Sequence, residues 1–182
     1  MVRTVLYVFG GVLLGLVIHL VVILLLPGLA SNNVATRLAA LGQVNKVVTL
    51  DPVQPGAANP LRLDPEMSYA ICRLDLTKGP GELTGTLPVS FWSVSVYDRS
   101  GAVLYSTTNR DGIGQTLDLG IFDPAQTRLL AEQKIDISPG LLIVEARTDE
   151  VFVVVRLAPE HPSMRARYEA QLERLACRNI AI

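Results

Sequence analysis

The stretch Ser90–Gly101, SFWSVSVYDRSG, decides how the rest of the chain is read. Strict alternation puts Trp92, Val94 and Val96 on one face and Phe91, Ser93, Ser95 and Tyr97 on the other, which is the period of a β-strand. Asp98-Arg99-Ser100-Gly101 follows with turn chemistry, because aspartate caps its own backbone and glycine tolerates a left-handed conformation. Ala102–Thr107 then returns, so the segment predicts a hairpin. The Trp92 face is core. The opposite face, two aromatics with two small hydroxyls, suits a second layer or a partner better than a substrate.

Working outward, MSYAICRLDL (67–76) alternates in the same way, with Ala70, Cys72, Leu74 and Leu76 inward and Tyr69, Ile71, Arg73 and Asp75 outward. LLIVEA (141–146) and VFVVVRLA (151–158) are expected to form a second hairpin about Arg147–Glu150. Both runs are apolar on each face, so both should lie centrally in a sheet. KVVTLDP (46–52) offers a first strand, and DPVQPGAANPLRLDP (51–65), with its four prolines, an ordered loop. TKGPGELTG (77–85) has the composition of a turn cluster.

Three helices are expected around these strands. Residues 31–45 suggest a short one through Val34, Leu38 and Leu41 that ends near Gly42 and rides on the membrane surface or on the domain. DPAQTRLLAEQ (123–133) suggests another, capped by Asp123 with Pro124 in its first turn. The tail HPSMRARYEAQLERLACRNI (161–180) carries an apolar stripe of Met164, Tyr168, Leu172 and Leu175, flanked by Arg165 and Glu169 at ion-pair spacing. Cys177 would fall on the polar side of a regular helix, so either the last turn unwinds or Cys177 reaches a partner at the rim of the sheet. The pattern predicts a mainly β fold, an antiparallel β-sandwich-like domain with a C-terminal amphipathic helix. Its parts are a linker at 31–66, a β-rich domain at 67–160 and a helix at 161–182 packed on it.

The first thirty residues are of another kind. Val5–Leu26 contains no Asp, Glu, Lys or Arg. As a helix rising about 1.5 Å per residue it covers roughly 33 Å, enough for the hydrocarbon core of a bilayer. A buried soluble helix would show a polar face. A cleavable signal peptide is the closer rival, since Pro27–Ser31 (PGLAS) offers small residues at Gly28 and Ala30, but the apolar run exceeds a signal h-region. The segment 1–30 therefore reads as an uncleaved transmembrane signal anchor. Arg3 at the membrane edge, weighed against Arg37 and Lys46, places the N-terminus in the cytoplasm and the main domain in the periplasm. Within the span, Gly11, Gly15 and His19 recur every fourth residue on one face. Glycines at that spacing let a second helix approach closely, and an imidazole inside a membrane faces protein or a polar cavity.

Chemistry is sparse. Of 16 Lys and Arg only Arg3 precedes residue 31, and 17 Asp and Glu balance the rest, so there is no electrostatic footprint for nucleic acid. His161 is the one histidine of the main domain; beside Pro162 it suits a capping or exposed role, and no G-x-S-x-G elbow supports a hydrolase. Two cysteines and one histidine give no zinc-type spacing. No catalytic residue, cofactor site or metal site is expected. A polar set remains: Arg73, Asp75, Tyr97, Asp98, and Asn109 with Asp111 from NRDG (109–112). It reads as the hydrogen-bonded rim of a sandwich or, alternatively, as a site for a small polar ligand or an enzyme's substrate. Cys72 and Cys177 lie in a domain expected in an oxidising compartment, where they are either a disulfide or two separate buried thiols.

YAICRLDL (69–76), FWSVSVYD (91–98), NRDG and VFVVVRL (151–157) together resemble the bacterial domain-of-unknown-function 1254 family, in particular its short membrane-anchored members. The likeness runs from Leu50 to about Leu157, and Cys177 and the apolar N-terminus with His19 also fit the short form. The resemblance implies a mostly β exported domain in the bacterial envelope, a Cys72–Cys177 disulfide, and a companion small membrane protein of the related 1214 family. It brings no agreed reaction. The function expected is a non-enzymatic interaction with another small membrane protein at the inner membrane.

Overall fold

The computed structural model describes residues 1–29, 34–110, 115–133 and 140–180. The chain divides into two compact units, Met1–Asn33 and Val34–Ile182. The first is helix α1 (Val2–Leu29), of which Val2–Leu26 is long and apolar enough to cross a membrane.

In the second unit the elements run α2 (Val34–Leu41), β1 (Val47–Thr49), β2 (Ser68–Asp75), β3 (Gly81–Thr86), β4 (Phe91–Asp98), β5 (Val103–Thr108), β6 (Thr116–Phe122), α3 (Pro124–Gln133), β7 (Leu142–Glu145), β8 (Glu150–Ala158), α4 (Arg165–Leu172) and β9 (Ala176–Asn179). The strands form a five-stranded antiparallel sheet, β1-β2-β8-β4-β5, and a four-stranded mixed sheet, β7-β6-β3-β9. The expected mainly β sandwich with a C-terminal helix is what the chain builds.

The main core joins the inner faces of both sheets. Trp92, Val94 and Val96 of β4, Cys72 and Leu74 of β2 and the odd-numbered residues of β8 meet Leu83 of β3 and Leu117, Leu119 and Ile121 of β6. Fully burying each such side chain contributes about 1.5–3 kcal/mol, so this layer dominates the stability of the unit. Tyr168, Leu172 and Leu175 from the tail join the same core, with Met164 packed against it, as the stripe predicted.

The β4–β5 hairpin forms as read, and its turn is built by Asp98. The Asp98 carboxylate accepts from the Ser100 backbone N–H (2.8 Å), the Ser100 hydroxyl (2.6 Å) and the Ala102 N–H (2.9 Å). Gly101 closes the turn at φ +86°, a conformation other residues rarely adopt. Helix α3 starts as expected, with the Asp123 carboxylate accepting from the N–H groups of Ala125 and Gln126.

Four expectations need correction. Gly81–Thr86, within the supposed turn cluster, is strand β3. Its glycines serve close approach, since a Cβ at Gly81 would lie 2.7 Å from Leu74 Cδ1 and one at Gly85 2.5 Å from Leu175 Cδ2. β7 and β8 are not a hairpin. β7 pairs parallel with β6 at the edge of the smaller sheet, while β8 lies between β2 and β4 at the centre of the larger one. Residues 146–149 therefore carry the chain from one sheet to the other. The tail helix ends at Leu172, and Cys177 lies on β9, paired opposite Leu83. Its misfit with the helical stripe is resolved by the unwinding of the last turns. Arg165 and Glu169 are not an ion pair either: Arg165 donates to the Pro65 carbonyl (2.6 Å), and Glu169 accepts from the Ser68 hydroxyl (3.2 Å). A strand at Thr116–Phe122 was not anticipated.

The outer face of the larger sheet, to which alternation assigned Tyr69 and Ile71, is also covered. Tyr69, Ile71, Phe152 and Val154 form a second buried cluster with Leu38 of α2, and Leu50, Leu61, Leu63 and Met67 of the proline-rich segment pack onto it. Helix α2 thus rides on the β-domain.

Candidate functional site

The polar set does not converge on one point. Arg73 is bonded to Glu150, whose carboxylate also faces Arg99 at 3.5 Å. Asp75 caps the turn after β2, accepting from the Thr77 hydroxyl (2.5 Å) and N–H (3.1 Å), with Lys78 at 3.5 Å. The Thr77 hydroxyl is the main reason its carboxyl sits below the usual aspartate range. Tyr97 accepts from Arg156 through its hydroxyl at 2.7 Å. Asn109 lies by the start of β4 instead, where its N–H meets the Trp92 carbonyl and its side-chain amide donates to Ser90 O (3.2 Å each). Asp111 falls outside the described residues. His161 accepts from the Ser163 N–H (3.2 Å) and so caps the turn before α4, as read.

For Asp98, partial burial works against ionisation, but the Ser100 hydroxyl and the N–H groups of Ala102, Ser100 and Gly101 outweigh it and hold the carboxyl below its ordinary value. A depressed folded-state value stabilises above the unfolded value of about 3.9 and is lost as pH falls through the folded one. Asp98→Ala should therefore cost about 1–2 kcal/mol at neutral pH, through the lost hydrogen bonds. The gap between variant and parent urea midpoints should close as pH drops below the aspartate range. A gap unchanged in acid would contradict the charge-assisted turn.

The two cysteines are joined. Cys72 on β2 and Cys177 on β9 form a disulfide, with their Cα atoms 6.0 Å apart across the two sheets.

The site that sequence reasoning missed lies on the outer face of the larger sheet. Register places Ile71, Val154 and Ser95 in one row across β2, β8 and β4, flanked by the rows Arg73–Phe152–Tyr97 and Tyr69–Arg156–Ser93. The loop and α2 do not close completely over these rows. They leave a cavity of about 430 Å³ with Ile71 and Val154 in its floor, Leu38, Leu50 and Leu61 in its walls, and Tyr69, Tyr97, Arg62 and Arg156 as the side chains with polar groups that line it. The β4–β5 register shifts between Val96 and Tyr97, so an irregularity of the kind that re-aims side chains falls at Tyr97. Alternation put Tyr97 on this face; Arg156 joins it only through the register of β8 against β4, and no pattern shows that a loop folds back to roof them.

The profile of the family described as "Protein of unknown function (DUF1254)" matches residues 44–178. The chain belongs to this family. Comparison with curated proteins finds no match. Among solved structures, the VPA0106 protein of Vibrio parahaemolyticus is similar over 81% of this chain and 32% of its own, at 10% identity and a TM-score of 0.54. An uncharacterized protein from Burkholderia cenocepacia is similar over 80% and 39% respectively, at 14% identity and a TM-score of 0.45. The chain therefore spans about a third of the length of the first of these structures, and that likeness, at 10% identity, is one of fold.

Proposed function

We propose that this DUF1254 protein is a single-pass inner-membrane protein whose β-domain lies in the periplasm and which works by association with a second membrane protein. The observation that carries the reading is the helical run Val2–Leu26, long and apolar enough to cross a membrane. On it, Gly11 and Gly15 have nothing within 4 Å of their Cβ positions. A helix that shows bare glycines and an imidazole on one face is suited to close contact with another helix. The disulfide supports export, because such bonds persist in oxidising compartments. The companion expected is a small protein of the related 1214 family.

Interhelical hydrogen bonds in membranes contribute only about 0.6–2 kcal/mol, so packing at the glycines should outweigh the His19 bond. Gly15→Ile should disrupt copurification of the full-length protein with its partner more than His19→Leu, with the circular dichroism of the β-domain unchanged in both. Undiminished association of Gly15→Ile would reduce the helix to a plain anchor. A small-ligand role, the second reading, is favoured by one observation, the outer-face cavity.

A further inference from the structure

We propose that the cavity over the larger sheet binds an amphipathic anion, an acyl chain of medium length that ends in a carboxylate or phosphate. Its volume of about 430 Å³ lies in the range of small-ligand sites, which are mostly apolar with a few fixed polar groups. The floor and walls supply the apolar part. The polar part is cationic: of the residues lining the cavity, the two that carry charge are Arg62 and Arg156.

Arg62 stands exposed on the loop, whereas Arg156 on β8 differs from the other guanidiniums near this face. Arg73 and Arg99 both face the Glu150 carboxylate. Arg156 is half-buried, yet its bond is to the neutral Tyr97 hydroxyl, and neither it nor Arg62 pairs with a carboxylate among the described residues. A guanidinium has five donors and normally finds an anion when it is withdrawn from water. An apolar segment of a partner protein would fill the space and leave that charge uncompensated. An acyl chain with an anionic head satisfies both parts.

The loop that carries Arg62 is held by its own hydrogen bonds. Arg62 adopts φ +53°, an uncommon conformation outside glycine that tends to mark sites. Asn59 holds both backbone groups of the following residue, donating through its amide to the Leu63 carbonyl (2.7 Å) and accepting the Leu63 N–H (2.8 Å). That turn sets Leu61 and Arg62 together at the cavity. Below them, Arg156 projects from β8, the central strand, so the cationic end rests on rigid backbone.

The test uses full-length protein in lipid nanodiscs and two photoreactive probes: dodecanoic acid with a terminal diazirine, and phosphatidylglycerol with the same label in one acyl chain. Crosslinked peptides are mapped by mass spectrometry. Labelling is expected in the 50–67 loop or in β8, competed by dodecanoate far better than by dodecanol. Losing a charge-assisted hydrogen bond should cut labelling in Arg156→Gln about tenfold. Arg156→Lys should restore part of it. If Arg156→Gln does not fold, Leu61→Trp, which fills the cavity from the loop, should abolish labelling instead. Capture of the free acid and capture of the phospholipid each support the site and tell the two sources apart. Labels confined to residues 1–29 with both probes, or equal competition by the uncharged alcohol, would overturn the proposal. Gly15→Ile should label like the parent, so failure here is separable from failure of the partner reading.

Discussion

Reducing the Cys72–Cys177 bridge should lower the Tm of the β-domain by roughly 10–15 °C. A cross-link between residues 105 positions apart removes loop entropy from the unfolded chain worth about 4–5 kcal/mol in the loop-closure account. At about 2–4 °C per kcal/mol for a domain of this size, that gives the expected shift. The location adds to the effect. Cys72 lies in β2 of the larger sheet, and Cys177 in β9, a four-residue edge strand whose ladder to β3 is short. The bond is therefore the covalent tie between the two layers and the C-terminal segment. Both sulfur-bearing residues are buried in the main core, so the bridge also contributes packing. Thermal melts of the full-length protein with and without reductant, beside Cys72→Ser, measure it. Hydrogen exchange should show the loss concentrated in α4 and β9. An unchanged Tm, or two titratable thiols in protein taken from an oxidising compartment, would remove the disulfide from the account.

What was legible in the sequence was local. The β4–β5 hairpin rests on alternation and one aspartate-glycine turn, and α3 on an Asp123–Pro124 start; both signals span a few residues and both hold. Partner choice was not legible. β7 and β8 are separated by four residues, and a hairpin is the simplest joining of two such strands, yet each pairs in a different sheet. β3 was hidden because the features that let two layers approach, Gly81 and Gly85, are also those of turns. Cys177 was an informative misfit: a residue off the helical stripe signalled that the helix stops before it. The cavity was half visible. Tyr97 falls on the outer face by simple alternation, but Arg156 joins it only through the unforeseen pairing of β8 with β4, and their enclosure depends on a proline-rich loop returning across the sheet, which no period in that loop announces. Likewise Arg165 and Glu169 had ion-pair spacing, but backbone and hydroxyl partners on the 65–68 segment take them both.

Replacing Trp92 with alanine should cost about 3–5 kcal/mol, whereas Phe91→Ala, one residue away, should cost under about 1 kcal/mol. The two aromatics begin the same strand and differ in the face they occupy. Trp92 is 1% exposed, opposite Leu157 of the central strand and inside the core shared by both sheets; Phe91 is 47% exposed, opposite Ala158. Truncating the indole leaves a cavity between layers whose backbones are fixed by their own ladders, so the gap cannot collapse. Truncating Phe91 uncovers a surface already half wet. Against a total of roughly 5–15 kcal/mol for a domain, the first change consumes a large fraction and the second almost nothing. Trp92→Phe, which keeps much of the volume, should fall between them. Urea denaturation followed by far-UV circular dichroism reads all three variants, since the chain's single tryptophan is lost in two of them. Equal costs at positions 91 and 92 would mean that alternation along this strand does not separate inside from outside. The assignment of Tyr97 and Arg156 to the cavity face would then lose its basis, because it rests on that same alternation carried across the register from β4 to β8.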